Sequence, residues 1–327
     1  MRNGLFLIGP KNPATNKNEF KNDTYILLAR HLIAEGALDR VFFCYNCNKN
    51  ISTKNIKTYS NISINFLNSE KDYNSIYKNE YSMTFVRGNW LEHQKIMKKV
   101  NSKLNYFYAA DPKYSPVKKM LPFIDIVFVD EKNQAVKNKK NIVFDKIINT
   151  DIFKPKKSKK KYDLSHVANF RQWKNHNLLF SAIYKYQIKS NKQLKIALMG
   201  KFEPNTNELK TMLWKFNINA DLFEKISPFK VADLINKSKF TVQMAEIDAN
   251  PRAITESLAC NVPVLVNNQL SGGIRLANKT ANPWKFDLAI KQMLTEYKNY
   301  QPYKYFKNSL TADKIINSCF KDLKNIK

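Results

Sequence analysis

Short apolar segments alternate with longer amphipathic ones along this sequence, and the alternation runs through twice. In the first half the apolar runs are NGLFLIG (3–9), VFFCYN (41–46), ISINFL (62–67), SMTFVRG (82–88), LNYFYAA (104–110) and IDIVFVD (124–130). Each has the length of a strand and too little polar alternation for a sheet with one wet face. Between them, residues 23–36 put Tyr25, Leu28, Ala29, Leu32 and Ile33 on one helical face, and a second helix is expected near 90–100. Strands separated by helices pair in parallel, so the expected architecture is a doubly wound α/β sheet.

The pattern stops between DKIINTDIFKP and KKSKKKYD and then restarts. The lysine run 156–161 after Pro155 reads as a solvated linker over 151–162. Beyond it the expected strands are LSHVANF (164–170), LKIALMG (194–200), ADLFEKI (220–226), FTVQMAEI (240–247) and VPVLVNN (262–268). Helices are expected at 175–189, 205–216, 229–237 and from about Pro251. The reading is therefore α/β with two Rossmann-like domains, 1–150 and 163–300, facing a central cleft, followed by amphipathic helices over 301–327. Open α/β sheets bind ligands beyond the carboxyl ends of their strands.

The length of 327 residues suits two domains, and 21 Phe with 16 Tyr supply ample core. No run approaches the roughly 18 apolar residues of a membrane span. The apolar start GLFLIG is cut off by PKNP, so it reads as a first strand and the protein is expected in the cytoplasm. Cys44 and Cys47 form a CxxC with no second pair or suitably spaced His, so they read as structural. The formal charge is +28; of 55 basic residues, 48 are Lys and only seven Arg. Abundant Lys and Asn with scarce Gly suggest an AT-rich coding bias, which spreads charge over every wet face. The remainder favours anionic partners: nucleotide phosphates, acidic glycans, anionic lipid or nucleic acid.

One stretch carries chemistry: EIDANPRAITESLACNVPVLV, residues 246–266. Asn250-Pro251 reads as a helix start with Asn as N-cap and Pro as first helical residue. A helix amino end offers N–H groups and a positive dipole to phosphate. Asp248 precedes it and Glu256 follows eight positions later, so both could face a ligand's hydroxyls. Equally, Glu256 could pair with Arg252 at i,i+4 and Asp248 could cap the turn. The residues alone leave both readings open.

At these positions the sequence resembles the GT-B glycosyltransferases of the large retaining family 4, whose hallmark is Glu-x7-Glu before a small-residue helix and an apolar strand. Here the motif stands as Asp248-x7-Glu256 followed by SLACNVPVLVNN, with Asp for the first acid and Glu246 two residues out of register. HVANFRQWKNHNLL resembles the family's basic turn, INTDIFKP its hinge, and NNQLSGGI its glycine turn. The resemblance spans 146–285 and is architectural only over 1–145. It implies a sugar transferred from a nucleotide-diphosphate donor with retention. It assigns Glu256 to the ribose, Asp248 to the donor sugar, and Arg171 and Lys174 to the diphosphate with the amides of Gly272 and Gly273. Asn250 and Arg252 belong to the same helix start, and Ile226, Ser227 and Pro228 would line the base. It also implies that the terminal helices brace the first domain.

The chain has no Asp-x-Asp, and no histidine or third acid joins Glu246 and Asp248. No metal or cofactor is expected, so basic side chains would take the leaving group's charge. Acceptor residues are expected at strand ends of the first domain: Arg87, Asn89, His93, Asp111, Asp130 and the 10–22 loop. His93 is as readily a satisfied core residue, and His31 and His166 read as structural. The favoured acceptor is a glycan, free or lipid-linked, reached with peripheral contact to anionic membrane. Modified DNA bases are an alternative acceptor. A non-enzymatic nucleic-acid-binding protein is the rival reading, although Lys greatly outnumbers the Arg suited to base readout.

Overall fold

A computed structural model of the protein describes residues 1–8, 23–45, 61–66, 70–88, 91–109, 117–248 and 250–325. They divide into two units: residues 1–147 with 311–327, and residues 148–310.

Among the described residues the first unit has a small two-stranded sheet (Glu80–Tyr81 with Asn101–Ser102) and a main sheet of seven strands: β1 (Asn3–Ile8), β2 (Arg40–Tyr45), β3 (Ile62–Phe66), β4 (Met83–Arg87), β5 (Asn105–Tyr108), β6 (Ile126–Val129) and β7 (Lys140–Val143). They line up as β3-β2-β1-β4-β5-β6-β7, every neighbouring pair parallel. Helices α1 (Thr24–Ala34), α2 (Glu70–Tyr77) and α3 (Leu91–Met97) lie between strands. Leu5, Phe6 and Leu7 are all fully buried because the sheet is covered on both faces. Phe6, Phe43, Phe85 and Phe128 pack on one face with α1, and Leu5, Leu7, Val86 and Phe107 on the other with Ile76 and Ile96. The Asp23 carboxylate starts α1 by accepting from the N–H groups of Tyr25 and Ile26.

The second unit repeats the plan with β8 (Tyr162–Val167), β9 (Lys195–Gly200), β10 (Asn219–Glu224), β11 (Ser238–Gln243), β12 (Val264–Asn267) and β13 (Lys279–Ala281). Their order is β10-β9-β8-β11-β12-β13, again all parallel. One face carries α6 (Pro228–Asn236) and α7 (Arg252–Ala259), with α9 (Pro302–Ser309) packed on α7. The other carries α4 (His176–Ser190), α5 (Thr206–Lys215) and α8 (Phe286–Glu296). The chain winds outward from β8 in one direction and then from β11 in the other, so the switch point lies between β8 and β11.

Three local expectations change. The segment 151–162 is not a free linker. Ile152 and Phe153 are buried in the second unit, and its polar groups meet the carboxyl end of α6. There Asn236 Oδ1 accepts from the Lys156 N–H at 2.8 Å, and the Asn236 carbonyl from Ser158 and Lys160, both at 2.8 Å. The terminal helices divide: α9 stays with the second unit. Helix α10 (Ala312–Cys319) and the following turn close the first unit's core with Ile316, Phe320 and Leu323. Finally, β11 ends at Gln243, before the carboxylates, because Met244 and Ala245 turn into the core and begin a loop. Cys44 is buried at the end of β2. Cys47 and the 10–22 loop lie outside the described residues. Among the described residues no helix is long and apolar enough to cross a membrane.

Candidate active site

Three loops of the second unit converge beyond the carboxyl ends of β8, β11 and β12. The first, after β8, makes a short 3-10 turn over Gln172–Lys174 and enters α4 through Asn175, whose φ of 53° is left-handed. The second runs from Met244 to Pro251, and the third carries Ser271, Gly272 and Gly273.

Side chains and backbone tie them together. The Lys174 ammonium pairs with Asp248 Oδ2, and the two side chains are only 17% and 19% exposed. The Asp248 N–H donates to Ser271 Oγ at 3.1 Å, and that hydroxyl donates to the Asp248 carbonyl at 3.2 Å. The Ser271 N–H donates to the Glu246 carbonyl at 2.9 Å. Asn267, at the end of β12, donates from its amide to the Met244 carbonyl at 3.2 Å.

At the start of α7 the expected cap shifts by one residue. The N-cap is Pro251, not Asn250, and Arg252 is the first helical residue. Asn250 is fully buried in a left-handed turn with φ 46°. It is held there by Gly273, itself left-handed at φ 79°, where a Cβ would sit 2.9 Å from Asn250 Oδ1. Glu256 is 5% exposed, and its Oε1 accepts from Arg252 Nε at 3.1 Å and Nη2 at 2.7 Å. The i,i+4 pairing that sequence allowed is therefore present. So is a nearly buried carboxylate on the first turns of a helix that points its amino end at Lys174 and Asp248.

A cavity of about 220 Å³ opens beyond the ends of β8 and β9, lined by Asn169, Lys201, Lys225 and Ile226 among others. Gly200 is required there, because a Cβ would lie 2.1 Å from the Ala168 carbonyl oxygen. Ser227 caps α6 by accepting from the Lys230 N–H, with Pro228 in the first turn. Arg171 is exposed at the start of the 3-10 turn.

Directly behind Lys174 lie two buried histidines, and sequence reasoning found no role for His176. Their rings meet edge to face at 4.9 Å. His166 Nδ1–H donates to the Val242 carbonyl at 2.8 Å, which fixes its tautomer. Burial, with the Lys174 charge adding to it, pushes His166 down to about 4 and His176 down to about 2, so both are neutral. The only clue to His176 in the sequence is its place two residues after the basic turn.

In the first unit, Arg87 ends β4 with its guanidinium 5.1 Å from the Tyr25 ring centre. Tyr108 donates to Asp130 Oδ1 at 2.5 Å, and Asp130 is fully buried at the end of β6. Burial pushes the Tyr108 phenol up, and the Asp130 charge adds to the effect. His93 is buried and its Nδ1–H donates to the Gly88 carbonyl at 3.2 Å, a bond that anchors α3 to the end of β4. Asn89 and Asp111 lie outside the described residues.

Residues 147–287 match the family model described as glycosyl transferases group 1. In structure the chain is similar to Anabaena HepE in complex with UDP-glucose, at 10% identity and TM-score 0.69 over 98% of this chain and 99% of that one. It is similar to the lipopolysaccharide outer core galactosyltransferase WaaB in its apo form, at 12% identity and TM-score 0.68 over 98% and 99%. It is also similar to sucrose-phosphate synthase from Thermosynechococcus elongatus, at 12% identity and TM-score 0.76 over the full length of both chains. No curated protein matches the chain by sequence.

Proposed function

We propose that this chain, whose residues 147–287 match glycosyl transferases group 1 and whose fold is GT-B, is a glycosyltransferase that moves a sugar from a nucleotide-diphosphate donor to a glycan or lipid-linked glycan, with retention. The observation that carries this reading is the Lys174–Asp248 pair at the switch point, beside the amino end of α7. The two charges neutralise each other. A diphosphate would take over the Lys174 ammonium, which releases Asp248 to accept hydrogen bonds from the donor sugar. Binding thus exchanges one ion pair for two ligand contacts.

The remaining roles follow from position. Arg171 is exposed and free to swing onto the diphosphate, with the amides of Gly272 and Gly273 and the amino end of α7 on its other side. Glu256, oriented by Arg252 through one oxygen, offers the other oxygen to the ribose hydroxyls. Ile226, Ser227 and Pro228 take the base, with the cavity beside Ile226 receiving it. Basic side chains stabilise the leaving diphosphate without a resident metal. Arg87 of the first unit, with Asn89 and Asp111, recognises the acceptor, while Asp130, fully buried, holds the Tyr108 phenol instead of meeting the acceptor itself. The lysine-rich surface lets the enzyme work in the cytoplasm while loosely held to anionic membrane.

The test is a donor-hydrolysis screen across nucleotide sugars, followed by transfer to glycan, lipid-linked glycan and hydroxymethylated-DNA acceptors. Wild type should select one nucleotide, and Lys174→Ala with Glu256→Ala should be nearly inactive. A double variant as active as wild type would remove the site, and transfer to DNA alone would replace the acceptor.

A further inference from the structure

At the other end of the second unit's sheet lies a cavity of about 320 Å³ that the proposed reaction does not use. Lys160 precedes β8, Lys239 is the second residue of β11 and Pro263 precedes β12, so the cavity opens at the amino ends of these strands. Lys174 and Asp248 follow the carboxyl ends. The cavity walls include Lys156, Lys157, Lys160, Lys239, Lys298 and Tyr297, and no acidic residue lines it.

Lysine in this unit is commonly paired: Lys174, Lys189, Lys225, Lys237 and Lys239 each meet a carboxylate. None of the ion pairs among the described residues includes Lys156, Lys157, Lys160 or Lys298. The carbonyl end of α6 accounts for one of these four, since Lys160 Nζ donates to the Asn236 carbonyl at 2.8 Å. Helix capping does not account for the other three. Cys260 supplies no compensating charge, because burial pushes its thiol up to about 12. Burial also lowers the Lys160 ammonium, so an anion in the cavity would favour its charged form. Tyr297 and Tyr300 add phenols to the wall, able to donate to phosphate oxygens.

We infer that this cavity is a second anion site, separate from the donor cradle, which takes a phosphate-bearing ligand of two or more negative charges. The ligand bridges Lys156, Lys157 and Lys298 over the anchored Lys160. The same chemistry fits a soluble diphosphate and the headgroup of an anionic lipid.

The experiment is calorimetric titration with inorganic pyrophosphate in the Lys174→Ala background, which weakens the donor cradle. Lys156→Gln, Lys157→Gln and Lys298→Gln combined should weaken pyrophosphate binding at least about tenfold. Lys185→Gln, Lys192→Gln and Lys210→Gln combined, equal in charge change and exposed elsewhere on the unit, should leave it unchanged. Equal binding by the two triple variants, or no binding once Lys174 is removed, overturns the proposal. Failure of the donor reading is seen separately, in the hydrolysis activity of Lys174→Ala alone. Flotation with vesicles of phosphatidylglycerol in phosphatidylcholine distinguishes the sources. Loss of vesicle binding together with pyrophosphate binding assigns the site to a lipid headgroup, and vesicle binding equal to wild type assigns it to a soluble ligand.

Discussion

Gly273 and Asn250 are both left-handed and packed against each other, with no room for a Cβ between them. The glycine turn after β12 thereby packs against the residue just before the Pro251 cap of α7. Gly273→Ala should cost about 1–2 kcal/mol of stability for its backbone alone, read by urea unfolding. Donor hydrolysis should fall further than stability does, because Asn250 must move and the helix start moves with it. Full activity in a correctly folded Gly273→Ala protein would separate the glycine turn from the donor site.

Lys174→Ala removes one charge-assisted contact, worth about 1.5–3 kcal/mol. Donor kcat/KM should therefore drop between about tenfold and a hundredfold. The substitution also leaves Asp248, less than one-fifth exposed, without its cation. Adding Asp248→Asn should recover stability but not activity, a split that chemical denaturation and donor hydrolysis read together.

Glu256→Gln keeps the shape of the side chain and weakens its grip on Arg252. The donor KM should rise about tenfold with little change in Tm. Unaltered donor affinity would return Glu256 to a purely structural role as the partner of Arg252.

The buried histidines make stability depend on pH. Both are neutral when folded, at about 4 and about 2, and titrate near 6.5 when unfolded. Below pH 6.5 the unfolded chain takes up protons that the folded chain refuses, so stability present above 6.5 is lost as pH falls. His166 stops contributing to the loss near pH 4, while His176 continues below it. The fall should approach roughly 2–3 kcal/mol per pH unit around pH 5. Asp221 and Glu224, both held below their usual range, act only at lower pH and do not blur this window. His176→Phe, set among Phe170, Phe180 and His166, should be close to neutral at pH 7 and should halve the slope between pH 6 and 5. Urea unfolding at a series of pH values measures it, and an unaltered slope would mean that His176 is not titrating.

Most of the two sheets was legible because strands buried on both faces cannot avoid continuous apolar runs such as LFLI and IVFV. The strands KNIV and KTA escaped notice because they lie on sheet edges, where partial exposure permits Lys, Asn and Thr. Spacing picked out Asp248 and Glu256, and the family resemblance added Lys174. It could not show that Asp248 and Lys174, 74 residues apart, meet as an ion pair. Nor could it tie Ser271 to the same loop. The one-residue error at the α7 cap has the same origin. Asn250 is an excellent capping residue by local rules, but it sits in a left-handed turn packed against Gly273, which is distant in sequence.

The closing segment of the first unit follows the whole second unit in the chain. At a synthesis rate of 5–20 residues per second, a ribosome takes roughly 10–30 s to pass from residue 147 to residue 311. Throughout that interval the pocket later filled by Ile316, Phe320 and Leu323 is open on the nascent sheet, while the second unit can already fold. The first unit therefore keeps that apolar surface uncovered until its last segment is made, and a chain stopped near residue 310 should retain a folded second unit while the first is left open to aggregation.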